Sequence, residues 1–444
     1  MNKVDMIARI KYNKSMNDTL KKMTDDLAAL IAVPSVAAPP APDAPFGAEN
    51  RRALDAFLRL SRSLGLKTGS DGGYAGWAEY GEGKLITGVL AHLDVVPAGD
   101  GWTTPPFELD IREGVMYGRG VSDDKGPLVA ALYALARLSK EHVRLNGRVR
   151  LIAGCNEEEG SACIKHYAAH CELPRVSFTP DSDFPVTASE KGILQAEITL
   201  PRCEETATRL LSLIGGTRPN IVPEKCRATL IVHGEKTEIE KTGKAAHGST
   251  PEKGVNAVTA MLGELAGELT EDEGLKKAAT LFGGDAVCEL GLGKADETGR
   301  TTINIGMARL SGGRITLTAD MRLAATYSPA VAINALSLAL VGSAEIKTLH
   351  YAPPLVHDEN GKLVRTLMNV YRECTGDTTS RPLHIGGGTY AKELPGCIAF
   401  GAVFPGRDTR MHDSDECYPL SDFEKLTEIC YRAVIALDRE FAAE

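Results

Sequence analysis

No two cysteines stand in C-x-x-C spacing, although ten are scattered along the chain. A chain of 444 residues needs no disulfide framework to hold a core, so these cysteines are expected as reduced, mostly buried thiols. A basic excess is missing as well. Fifty Lys and Arg against 59 Asp and Glu leave a net charge of -9 and a pI near 5.7, which argues against nucleic acid as partner. The acidic charge is dispersed rather than gathered into a tail, so it serves solubility. No long apolar run is present: the least charged stretch, 324–344, contains Pro329, Asn334 and several Ser and Ala, and reads as a soluble helix rather than a membrane span. The first twenty residues are basic but lack an apolar core followed by a small-residue cleavage site, so no secretory signal is read and a cytoplasmic location is expected.

What is present begins with size. With 43% hydrophobic and 25% charged residues, the chain has ample core, and its length favours two or more domains. Its chemical centre is the stretch 85–138. An apolar run at 85–90 predicts a buried strand that delivers His92 and Asp94 beyond its C-terminal end, where open α/β sheets form ligand crevices. A hairpin is predicted at 107–111 and 115–117. The chain then returns through Gly118-Arg119-Gly120 to Asp123-Asp124, where a helix starts with Pro127 in its first turn. A metal-binding imidazole usually donates its second N–H to a carboxylate or carbonyl, so Asp94 can hold the tautomer of His92, and Asp123 has two oxygens with which to bridge two cations. Two ligands are only half a site, since a zinc-like cation takes about four.

Further strands at 149–153 and 176–178 end in Asn156-Glu157-Glu158-Glu159 and in Asp181-Ser182-Asp183. Three successive strands thus aim acids at one edge, and one Glu can ligate while its neighbour acts as a general base. Spacing leaves the choices among these Glu residues, and between Asp181 and Asp183, open. His166 and His170 stand at i, i+4 on a helix at 163–170, but Tyr167 occupies the place where an H-E-x-x-H site needs Glu, so they are read as exposed helix residues. Helices are also expected at 15–31 and 50–63. From about residue 193 the pattern changes to an α+β insertion: strands at 193–200, 228–233, 237–242, 304–310 and 314–321, helices at 207–214, 254–269 and 328–340, and His247 in a small-residue loop. The last part restores the first character, with a helix at 362–374, Gly386-Gly387-Gly388-Thr389, a strand at 398–404 and Met411-His412-Asp413-Ser414-Asp415-Glu416. The triple glycine lacks a P-loop's G-K-[ST] ending and reads as backbone approaching a ligand.

Taken in order, H-L-D-V-V-P, G-R-G-x-x-D-D-K-G, N-E-E-E-G-S, P-D-S-D-F-P, E-K-G, A-A-H-G-S-T-P-E-x-G-x-N-A, G-G-G-T-Y-A and M-H-D-S-D-E resemble the M20 metallopeptidases, and most closely their PepV/Sapep-like dipeptidase branch. The resemblance runs from about residue 27 to 423. It implies an α/β zinc-peptidase (aminopeptidase-like) catalytic domain with a mostly parallel sheet, at 1–192 and 355–444, interrupted by an α+β lid at 193–354. It implies two divalent metal ions, zinc or alternatively manganese, held by His92, Asp123 as bridge, Glu158, Asp181 and His412. Glu157 then corresponds to the general base, Asp94 to the acid orienting His92, and His247 to the residue reaching the scissile carbonyl. Asn220, Arg322, Gly387, Gly388 and Thr389 match substrate-holding positions. Asn156, where an acid often precedes the Glu pair, and the additional Glu159 depart from the commonest pattern.

In that scheme two cations activate a shared water, Glu157 takes its proton, and the same proton later goes to the leaving amine. An arginine that pairs with a free C-terminal carboxylate limits substrates to very short peptides. The expected function is therefore dipeptide hydrolysis by a monomer, with no nucleic acid or membrane partner. The alternatives are an M20-type amidohydrolase that removes acyl groups from N-acyl amino acids, and a metal-binding scaffold without catalysis.

Overall fold

The computed structural model describes residues 18–202, 208–340 and 342–443. The N-terminal reading and the first three residues of the helix expected at 15–31 lie outside them. The chain folds into two compact units: one runs to Ala188 and resumes at His357–Leu383 and Thr389–Glu444, and the other comprises Ser189–Val356 with His384–Gly388.

In the first unit, strands Lys67–Asp71, Ala75–Tyr80, Arg148–Gly154, Leu85–His92, Val176–Thr179 and Cys397–Ala399 lie side by side in that order, with Thr187, at the start of strand Thr187–Glu190, paired to Ala399 at the far side. The four central strands, Arg148–Gly154 through Cys397–Ala399, are mutually parallel, and the flanking pairs are antiparallel. Every residue of Leu85–His92 is buried, as a strand covered on both faces requires. Neighbouring residues of Ala75–Tyr80 show the two coverings: a Cβ at Gly76 would meet Leu54 and Leu58 of helix Ala48–Ser63, while Trp77 lies edge-on to Tyr167 of helix Ala162–His170. Helices Asp18–Ile31, Lys125–Lys140, Lys362–Thr375 and Leu420–Phe441 bury their apolar faces in the same core. Leu128, Leu132, Leu135 and Leu138 repeat at helical spacing and are fully buried. The run expected as one strand at 398–404 is two short strands, Cys397–Ala399 and Ala402–Val403, because the second pairs with Ser182–Asp183 in a separate small sheet.

The second unit holds a seven-stranded antiparallel sheet in the order Glu235–Thr242, Lys225–Val232, Thr208–Gly215, Thr302–Ser311, Arg314–Leu323, Gly192–Arg202 and Glu345–Ala352. Helices Ala257–Glu268, Glu273–Gly283 and Pro329–Ala339 share its apolar core. The helix expected at 207–214 is a strand over its described residues. Its register slips between Leu210 and Ser212, so the buried Leu210 and Leu213 stand three residues apart and imitate helical spacing. Helix Glu273–Gly283 and strand Glu345–Ala352 went unread. The latter is an edge strand, mostly exposed, with no clear alternation of buried and exposed residues.

Candidate metal centre

Three parallel strands end on one side of the first unit's sheet, and the acids follow directly: His92 closes Leu85–His92, Glu157 and Glu158 follow Gly154, and Asp181 follows Thr179. His92 is fully buried and fixed from three directions. Its amide donates to Asp124 Oδ2 at 3.0 Å, its Nδ1 donates to the Asp94 carbonyl oxygen at 2.9 Å, and its Nε2 lies 2.8 Å from Asp123 Oδ1. A carbonyl only accepts, so Nδ1 carries a proton, and Nε2 is the nitrogen turned toward the Asp123 carboxylate. The Asp94 carboxylate is farther from Nδ1, at 3.5 Å. Its two oxygens instead accept the amides of Glu157 and Glu158, each at 3.0 Å. Asp94 thus orients His92 through its backbone and the Glu pair through its side chain.

Asp123 divides its oxygens. Oδ1 faces His92, and Oδ2 lies 2.8 Å from His412 Nε2, which is itself 3.2 Å from Glu158 Oε1. Asp181 Oδ1 stands 4.0 Å from His92 Nε2, whereas Asp183 is exposed. The result is two donor triads, His92–Asp123–Asp181 and Asp123–Glu158–His412, with Asp123 common to both. Glu157 belongs to neither, and Glu159 is exposed.

The charges are unbalanced. Burial pushes the carboxyls of Glu157, Glu158 and Asp181 up, and neighbouring acids, Asp181 for the first and Asp123 for the other two, push them further. Burial opposes the charging of His92 and His412, yet Asp123 and the other acids raise both, His412 to about 11. Two imidazoles cannot neutralise four neighbouring carboxylates in a site buried but for His412, and divalent cations can. Nitrogen and oxygen donors about 3.3 Å apart are also what surrounds a zinc-sized ion with bonds near 2.0–2.1 Å. The residues present fit a pair of such ions.

Sequence reasoning missed the groups that hold Asp123 in place. Glu416, fully buried, accepts Arg119 Nη1 at 2.7 Å, the amides of Gly120, Ser122 and Asp123 at 2.9, 2.8 and 3.1 Å, and the Ser122 hydroxyl at 2.9 Å. Arg119 also donates to the Asp413 carbonyl at 3.3 Å, beside His412. The signal lay in M-H-D-S-D-E, whose last acid had no assigned use. In the same segment Arg410, His412 and Asp415 all have positive φ, a costly backbone for residues other than glycine. Tyr390 is edge-on to His92, and its hydroxyl fills the space over Gly154, where a Cβ would come within 2.1 Å of it.

The second unit gathers other sequence-selected residues. His247 Nδ1 accepts the Ser249 amide at 3.2 Å and lies 2.7 Å from the Ser249 hydroxyl, which leaves the ring proton on Nε2. Gly248 donates its amide to the Asn220 carbonyl at 2.7 Å. Buried Asn304 supports that loop through the carbonyls of Pro219 and Ile221, at 2.9 and 3.0 Å. Arg322 is buried against Asp320, Nε to Oδ2 at 2.8 Å, and gives Nη1 to the Gly386 carbonyl at 2.9 Å. Gly387 and Gly388 share the Gly386 loop. Thr389, in the first unit, caps the short helix Tyr390–Glu393 by accepting the Ala391 amide at 3.2 Å.

Residues 88–436 match the model of peptidase family M20/M25/M40, well over half of the chain. The chain belongs to that family. As an M20 peptidase it is a hydrolase of a divalent-metal family, and its clustered donors are candidate ligands for such ions. It is 34% identical over 434 residues, 89% of this chain and 92% of the relative, to the "Putative dipeptidase YtjP" of Bacillus subtilis. Among solved structures, human carnosine dipeptidase 1 matches with TM-score 0.62 at 14% identity, covering 95% of this chain and 96% of that one. An M20 family metallo-carboxypeptidase of Sulfolobus solfataricus matches with TM-score 0.61 at 16% identity, covering 96% and 100%. At these identities the solved structures speak for the fold alone. No described helix is long and apolar enough to cross a membrane.

Proposed function

We propose that this M20 peptidase is a dipeptidase that uses two divalent ions, zinc before manganese, held by His92, Asp181, Glu158 and His412 with Asp123 between them. The observation that carries the reading is the division of Asp123, one oxygen toward each histidine at 2.8 Å. Bound there, the ions supply Lewis acidity and a more acidic water.

The chain's own residues do the rest. Glu157 is left out of both triads, its amide is held by Asp94, and burial keeps its carboxyl inclined to take a proton. Those are the properties of a base that removes a proton from water and returns it to a leaving amine. His247, with its proton on Nε2, donates to the scissile carbonyl oxygen as negative charge develops there. Arg322 and Asn220 hold the free carboxylate of a dipeptide, with Gly387, Gly388 and Thr389 lining the backbone beside it. Residues 193–354 act as the lid on a catalytic domain formed by 1–192 and 355–444, and the protein works as a monomer. The naming of the Bacillus subtilis relative as a dipeptidase supports the substrate class.

The test is amine release, read with ninhydrin, from a panel of dipeptides, tripeptides and N-acyl amino acids, with and without Zn2+ or Mn2+. Metal-dependent turnover of dipeptides, well above the other two classes, is expected. Faster turnover of N-acetyl or N-succinyl amino acids would assign the site to the amidohydrolases instead.

A further inference from the structure

The i, i+4 pair His166 and His170, left without a role by the reaction, is joined in the fold by Asp71 from the end of strand Lys67–Asp71. Their donor atoms all lie within 4.8 Å of one another, and the group shares no residue with the two triads around Asp123. His166 Nδ1 is 2.7 Å from Asp71 Oδ2. His170 Nδ1 is 2.8 Å from the His166 carbonyl oxygen, which only accepts, so the His170 ring carries its proton on Nδ1 and presents the Nε2 lone pair. The Asp94 carbonyl holds His92 Nδ1 in the same way. The His166 ring is clamped between Tyr74, stacked at 3.8 Å and 6° between planes, and His170 at 4.1 Å. Both imidazoles are therefore oriented before any ligand arrives, and Asp71 and His166 are shielded enough, at 16% and 30% side-chain exposure, to compete with bulk water.

We propose that Asp71, His166 and His170 form a third metal site, separate from the catalytic pair, which takes a zinc-type divalent cation and ties helix Ala162–His170 to the edge strand Lys67–Asp71. Two imidazoles and one carboxylate suit borderline ions such as Zn2+, Co2+ or Ni2+ rather than Mg2+ or Ca2+. Three protein ligands leave a position for water, so the site binds more weakly than a closed structural one. It joins two elements far apart in sequence, and a ligand bound only by the folded state raises stability.

The experiment titrates the full-length protein with Zn2+ and with Co2+, followed by equilibrium dialysis and by the visible absorption of bound Co2+, for wild type, His170→Ala and Asp71→Asn. Wild type is expected to bind about one equivalent more than either variant, whatever the occupancy of the catalytic pair, since the difference alone is read. In an Asp123→Ala background, Zn2+ should still raise the melting temperature by a few degrees, and adding His170→Ala should abolish the rise. His170 is exposed, so its variant keeps its fold, and dipeptide turnover at saturating metal stays as in wild type. Equal metal equivalents in wild type and His170→Ala, or a Zn2+-induced rise that survives His170→Ala, would overturn the proposal.

Discussion

Glu416 Oε1 accepts the backbone amide of Asp123 at 3.1 Å across 293 residues of sequence, so the acid four places after His412 positions the carboxylate that His412 faces. Glu416→Gln keeps an acceptor for part of this set but loses the charge that meets Arg119, 2.7 Å away and fully buried. Chelator competition should show metal affinity down by about 10–100-fold, the range for a residue that orients ligands, in a protein with unchanged circular dichroism. Unaltered affinity would mean that the loop around Asp123 holds its shape without the clamp. Glu416→Ala should fold poorly, because stranding a buried partner charge costs about 3–5 kcal/mol.

Metal content separates binding from chemistry. Asp123→Ala removes the oxygens common to both triads and should empty both. Glu157→Gln should keep the metal of wild type yet lose nearly all turnover. Elemental analysis that finds the two variants equally depleted would make Glu157 a ligand and move the base to Glu158 or Glu159.

A donor that acts on charge developing in the transition state affects rate more than binding. His247→Ala should lower kcat by roughly 10²–10³ while KM stays within a few-fold and metal content is unchanged. A kcat near wild type on a saturating dipeptide would return His247 to an ordinary loop residue.

Arg322 needs a gentler substitution than alanine, because its Nε is spent on the buried Asp320. Arg322→Lys keeps a cation beside that carboxylate but loses the planar fork that pairs with a substrate carboxylate. The loss should fall mainly on KM, since that charge is present in both ground and transition states. A change confined to kcat would deny Arg322 the carboxylate.

Acid stability should carry the signature of His357. Burial lowers its pKa from the ordinary 6.5, and the Cys397 carbonyl, 2.8 Å from Nε2, only partly opposes this. Between the lowered value and 6.5 the unfolded chain binds the extra proton, so stability rises with pH in that window and is lost as pH falls through it. Urea unfolding of His357→Gln, which keeps a donor for the carbonyl, should show a shallower dependence there than wild type. Identical slopes would place the dependence on other groups.

By itself the sequence determined what repeats locally. Apolar runs at 85–90, 149–153 and 176–178 read as strands because a buried parallel strand needs unbroken apolar residues, and the acids after them read as one edge because parallel strands share a direction. Helices such as Lys125–Lys140 and Lys362–Thr375 declared themselves through the spacing of their buried faces. Only the tertiary structure decided what depends on partners distant in the chain. It brought Asp181 rather than Asp183 toward His92, gave the Asp94 carboxylate to two amides rather than to the imidazole, and set Asp71 against His166. It also made Thr208–Gly215 a strand by pairing it with Lys225–Val232, where a bulge breaks the two-residue alternation that would have revealed it in the sequence. The physical reason is one of range: periodicity records which face of a segment is buried, whereas the partner of a carboxylate oxygen is settled when segments hundreds of residues apart pack together.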